Sequence, residues 1–134
     1  MSFKEKSAWA MGAIMLVTGV WYAQLVAAAP QAPVIGPLIS YVLAVIVLSI
    51  IAQTVLAILS PREAHASADE RERIVMDRAG NWSGIVLGLG VITAIIMYIG
   101  GWSATLLVHA IVGALIVAQL AEYLFQIFLF RRAV

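Results

Sequence analysis

The sequence predicts an all-α fold: a four-helix transmembrane bundle of two hairpins, both termini cytoplasmic, with a charged cytoplasmic helical extension before the third span. Three observations predict it. The 134 residues are 63% hydrophobic and only 11% charged, against typical values of about 45–50% and about 25% in soluble domains. The apolar residues gather into four long runs. All eight lysines and arginines fall outside those runs, on what alternating spans make a single side.

Composition also excludes function classes. A soluble domain of this length keeps much of its surface wet and has no use for so much hydrocarbon. A net charge of +1 supplies no field for nucleic acid. There is no cysteine, so disulfides and thiolate metal sites are ruled out. The chain reads as a single membrane domain, residues 1–134.

The runs cover residues 7–29, 37–59, 82–99 and 103–130. At about 1.5 Å per residue, each is long enough to cross about 30 Å of hydrocarbon. Lys4 and Lys6 before the first run, with the small residues 27–29 at its end, have the look of a secretory signal peptide. The run exceeds the usual length of such a segment and Pro30 would follow the cut, so a retained first span is expected. The second span follows "PQAPVIGP", whose prolines and glycine are expected to break the helix. A tight "GGW" turn joins the third and fourth spans. Trp9 and Trp82 are expected at the inner interface; Trp21, Tyr22, Tyr41, Tyr98 and Trp102 are expected at the outer one. The positive-inside rule makes the basic side the cytoplasm, which implies a multi-pass protein of the cell inner membrane.

The cytoplasmic loop, residues 60–81, carries much of the charge. Ser67 followed by Glu70 has capping-box spacing and predicts a helix starting near Ala68. Asp69, Glu70 and Glu72 then suit the positive end of the helix dipole. Asp69, Arg73 and Asp77 are spaced for i,i+4 pairs, each contributing only a few tenths of a kcal/mol when exposed. Ile74, Val75, Ala79, Trp82 and Val86 form an apolar stripe running into the third span, with a bend expected at Gly80. That stripe is read as a face for the bilayer surface or for a partner protein. The candidate interaction residues are Asp69, Glu70, Arg71, Glu72, Arg73, Ile74, Asp77 and Arg78.

The run "DERERIVMDRAGNWSG" resembles the loop of a family of small four-span prokaryotic integral membrane proteins of unknown function. In that family a D-E-R motif is followed by an isoleucine, a base and a small residue leading into a span. The matching residues are Asp69, Glu70, Arg71, Glu72, Ile74, Arg78 and Ala79, with Trp82 and Ser83 opening the span. The resemblance implies a four-helix inner-membrane protein with no established reaction. It also implies a regulatory partner of the small helix-turn-helix repressor kind.

Polar residues within the spans form the second candidate site, because burying them in lipid is costly. Gln119, Glu122 and Gln126 share one face of the fourth helix, and Gln53 and Thr54 are expected at similar depth. A desolvated Glu122 carboxyl there would cycle a proton, with Gln53 and Gln119 in support; otherwise the group is an interhelical hydrogen-bond cluster. His109 and His65 lack the companions a zinc site needs, so no metal and no cofactor are assigned. Gly84 and Gly88 form a G-x-x-x-G that lets helix backbones approach closely. With no nucleophile elbow, phosphate loop or H-E-x-x-H, catalysis is not expected. The expected function is that of a non-enzymatic membrane protein acting through membrane lipid, a protein partner or a homo-oligomer. The alternative is a small proton-coupled transporter or channel using Glu122.

Overall fold

The computed structural model describes residues 2–30, 32–65 and 69–132. They form five helices: α1 (Phe3–Ala28), α2 (Ile35–Leu59), α3 (Pro61–His65), α4 (Glu70–Ile99) and α5 (Ala104–Arg132). All except α3 are long and apolar enough to cross a membrane, which marks a multi-pass membrane protein. The apolar runs read from the sequence coincide with these helices except for Ala29 and Ser103, each one residue outside, and most helices run further into the flanking polar residues.

Local chemistry explains the boundaries. Ser2 caps α1, its Oγ accepting from the Glu5 amide at 3.2 Å, so the helix takes in Lys4 and Lys6. The start of α2 corrects the expected break: Gly36 and Pro37 belong to its first turn. Amides in that turn have no intrahelical acceptor, so a proline there loses nothing. The start of α4 is also corrected. Ser67 and Ala68 lie outside the described residues, and the cap is Asp69, whose Oδ1 accepts from the Glu72 amide at 2.7 Å. Glu72 Oε2 in turn accepts from the Asp69 amide at 3.3 Å, closing a reciprocal box. Asp69 thus serves its own helix end rather than Arg73. Beyond it α4 continues unbroken through Gly80.

The α4–α5 turn depends on Gly101, at φ 110°, a conformation that side chains disfavour. The Trp102 amide reaches back to the Met97 carbonyl at 3.2 Å. Ser103 then caps α5 by accepting from the Leu106 amide at 3.3 Å.

The main packing follows the order α2, α1, α5, α4, with α1 between α2 and α5, and α5 between α1 and α4. The bundle is thus laid out as a row with α2 and α4 at its ends. On α2, Tyr41 is the one fully buried residue among those described; Val45 and Gln53 on the same side turn toward α1 half-buried, and most of the remaining surface faces outward. Lipid tails are as apolar as leucine, so such a face carries no penalty in a membrane. Backbones approach where glycines permit it. A Cβ at Gly19 would lie 2.8 Å from Ile116 Cγ2, and one at Gly90 would lie 2.8 Å from Ala114 Cβ. Gly84 and Gly88, the residues of the G-x-x-x-G, meet nothing within 4 Å. Packing within the chain therefore uses other glycines.

Two cores result. One joins Met15 and Tyr22 of α1 to Tyr41 of α2 and Ile116 of α5. The other joins Val75 and Ala79 of α4 to Leu129 and Phe130 of α5. The charged ends of the helices also meet: Glu5 pairs with Arg131 at 3.3 Å and Lys6 with Glu63 at 3.7 Å.

Candidate functional site

At the uncharged end of the row, an apolar groove of about 540 Å³ runs between α1 and α5. Leu16, Gly19, Val20 and Ala23 line it from α1, and Leu106, Ala110, Gly113 and Val117 from α5, with Trp102 and Pro30 at its rim. The small residues on both helices create this space, because a branched side chain at Gly19 or Gly113 would occupy it. The polar groups on its wall are Tyr22 and His109. Their side chains are 3% and 6% exposed, and Tyr22 Oη lies 2.6 Å from His109 Nδ1.

That pair is held from several sides. The Tyr22 ring meets the Tyr41 ring edge-on at 5.5 Å, with the His109 ring 5.7 Å away. Tyr41 Oη donates to Met15 Sδ at 3.9 Å. Thr18, one turn from Tyr22, is buried with its hydroxyl donating to the Ile14 carbonyl at 2.6 Å. A neutral imidazole accepts at one nitrogen and donates at the other. Which partner donates across the Tyr22–His109 contact is set by the imidazole tautomer. The arrangement is a long apolar slot with one hydrogen-bonded polar pair on its wall, suited to a molecule with an apolar body and a polar head.

Sequence reasoning did not assemble this site. Tyr22 and Tyr41 were expected as interfacial aromatics. Instead they turn into the core, while Trp21, Tyr98 and Trp102 are exposed. A histidine and a tyrosine 87 residues apart give no local pattern. The available signal was that each interrupts an apolar helix, and such polar residues usually hydrogen-bond across helices.

The expected polar cluster is divided between two places. Gln53 Nε2 donates to Ser7 Oγ at 2.7 Å, joining α2 to α1. Gln119 Nε2 donates to Glu122 Oε2 at 3.4 Å within α5. Gln126 is buried, whereas Thr54 on α2 is exposed. Because α1 and not α5 lies beside α2, Gln53 is committed to α1.

The charged segment is divided as well. Val75 and Ala79, from the stripe expected to meet the bilayer or a partner, are buried against Leu129 and Phe130 of the chain's own α5. Trp82 extends this contact with an edge-on approach to Phe125 at 5.3 Å. Arg71 Nη2 donates to the Phe130 carbonyl at 3.0 Å, satisfying one of the acceptors left open at a helix C-terminus. Glu70, Arg73, Ile74, Asp77 and Arg78 remain exposed. Compared with protein-family models, with curated proteins and with solved structures, the chain matches none of them.

Proposed function

We propose that this is a non-enzymatic integral membrane protein that acts by binding, and that its ligand is a lipid-like molecule held in the groove between α1 and α5. The observation that carries this reading is the buried Tyr22–His109 pair, 2.6 Å apart, on the wall of an otherwise apolar groove of about 540 Å³. A buried polar pair in hydrocarbon surroundings orients a ligand, and the apolar lining supplies contact area for its body. Such a groove between spans opens to lipid, so the ligand enters from the bilayer rather than from water.

The test is lipid extraction and mass spectrometry on protein purified in mild detergent. A molecule enriched over the bulk membrane lipid, and reduced at least about tenfold by His109→Phe, is the expected result. An extract matching the bulk lipid in both proteins overturns the reading.

The exposed row of Glu70, Arg73 and Asp77 on α4 supports a role for the charged end in meeting a protein partner, as the D-E-R resemblance implies. With the positive-inside rule, that end lies in the cytoplasm. The transporter reading has less support, because Gln53 and Glu122 hydrogen-bond to different partners on different helices.

A further inference from the structure

The row Arg71, Ile74 and Arg78 lies three and four residues apart on α4, which places these side chains on one face. Together with Val75 and Leu129 they enclose a pocket of about 170 Å³ where α4 meets the end of α5. We propose that this pocket binds the phosphate of an anionic phospholipid headgroup, with the two guanidiniums as its clamp. The site is separate from the groove and does not depend on what the groove holds.

Three features carry the assignment. Among the described residues the ion pairs are Lys6–Glu63 and Arg131–Glu5, so Arg71 and Arg78 pair with no described carboxylate, though Glu70, Glu72 and Asp77 lie beside them in the chain. One nitrogen of Arg71 donates to the Phe130 carbonyl, which orients the planar fork and leaves its other donors available. Such a fork matches the oxygens of a phosphate. The floor and shoulder of the pocket are apolar. Val75, Leu129 and Ile74 supply them, and Ile74, between the two arginines, is 52% exposed. Arg78 stands four residues before Trp82, where the third span opens, or about 6 Å along the helix. That is the depth of the headgroup layer, since headgroups add about 5–7 Å on each face of the hydrocarbon. A soluble anion would have no use for the exposed Ile74. A phospholipid would lay the start of its acyl chains on it while its phosphate bridges the arginines.

The experiment is native mass spectrometry of the full chain, delipidated in mild detergent. It is titrated in parallel with dioleoyl phosphatidylglycerol, dioleoyl phosphatidylcholine and inorganic phosphate. The expected result is a retained phosphatidylglycerol adduct at least about tenfold stronger than that of phosphatidylcholine. Arg78→Gln should weaken it about tenfold, as loss of a charge-assisted contact predicts. Arg78 makes no hydrogen bond or ion pair among the described residues, so this variant leaves the α4–α5 contact intact. Arg71→Gln should act in the same direction but also loosens the end of α5. Arg73→Gln, outside the pocket, should leave the adduct unchanged. Equal retention of both lipids, or an unaffected Arg78→Gln, overturns the proposal. Inorganic phosphate that binds alone and displaces the lipid assigns the pocket to a soluble anion and overturns it equally.

Discussion

Tyr22 and His109 show what a single polar contact does inside an apolar helix row. Each is buried, and Tyr22 Oη meets His109 Nδ1 at 2.6 Å. An interhelical hydrogen bond in lipid is worth about 0.6–1.7 kcal/mol. Tyr22→Phe should therefore lower stability in micelles by about 1 kcal/mol, as read from a denaturant titration. An unchanged titration midpoint would mean the pair is not closed in the folded state. Glycines provide a second test at this scale. Gly90→Ala places a methyl 2.8 Å from Ala114 Cβ and should cost about 1–3 kcal/mol by overpacking. Gly84→Ala meets open space and should be tolerated by the monomer. If both are equally costly, Gly84 has a contact beyond the single chain, and the G-x-x-x-G is an assembly face after all.

Among the elements, α4 changes most from its sequence reading. At 30 residues it is about 45 Å long, so its first turns stand clear of the hydrocarbon and need their own support. The Asp69–Glu72 box supplies part of it. Asp69→Ala should cost about 1 kcal/mol and speed amide exchange at Arg71 to Arg73, with no change near Ala94. The rest comes from Val75 and Ala79 packing on Leu129 and Phe130. The apolar stripe was legible in the sequence, but its occupant was not. Periodicity identifies which face of a helix is apolar without naming what covers it, and here the cover is α5 of the same chain. The remnant, Ile74 with Arg71 and Arg78, stays exposed.

For the molecule as a whole, the contacts Lys6–Glu63, Glu5–Arg131 and Arg71–Phe130 bring together the ends of α1, α3, α4 and α5 that carry the lysines and arginines. The absence of native cysteine makes its orientation directly testable by introduced thiols. In intact cells, Ser103→Cys should react with a membrane-impermeant thiol reagent, whereas Arg62→Cys and Arg73→Cys should react only after lysis. The reverse labelling would place the charged end outside and contradict the positive-inside expectation. The same scale separates the two functional readings. Arg73→Glu should abolish capture of a cytoplasmic protein partner while Glu122→Gln is silent. Proton-coupled flux lost in Glu122→Gln liposomes would revive the transporter.

By itself the sequence determined the number of long apolar helices, their approximate limits and the exclusion of lysine and arginine from their apolar stretches. These follow from composition, length and the cost of charge in hydrocarbon, all of which are local properties of the chain. Tertiary structure alone decided the order α2, α1, α5, α4, the joining of Tyr22 to His109, and the commitment of Gln53 to Ser7 rather than to Glu122. It also decided that Gly19 and Gly90, not Gly84 and Gly88, carry the close approaches. The physical reason lies in the lipid-facing helices, which are apolar nearly all round. A helix without a polar face does not encode in its pattern which side turns inward. That choice is made by the fit of small residues and by the few hydrogen bonds that a membrane interior requires.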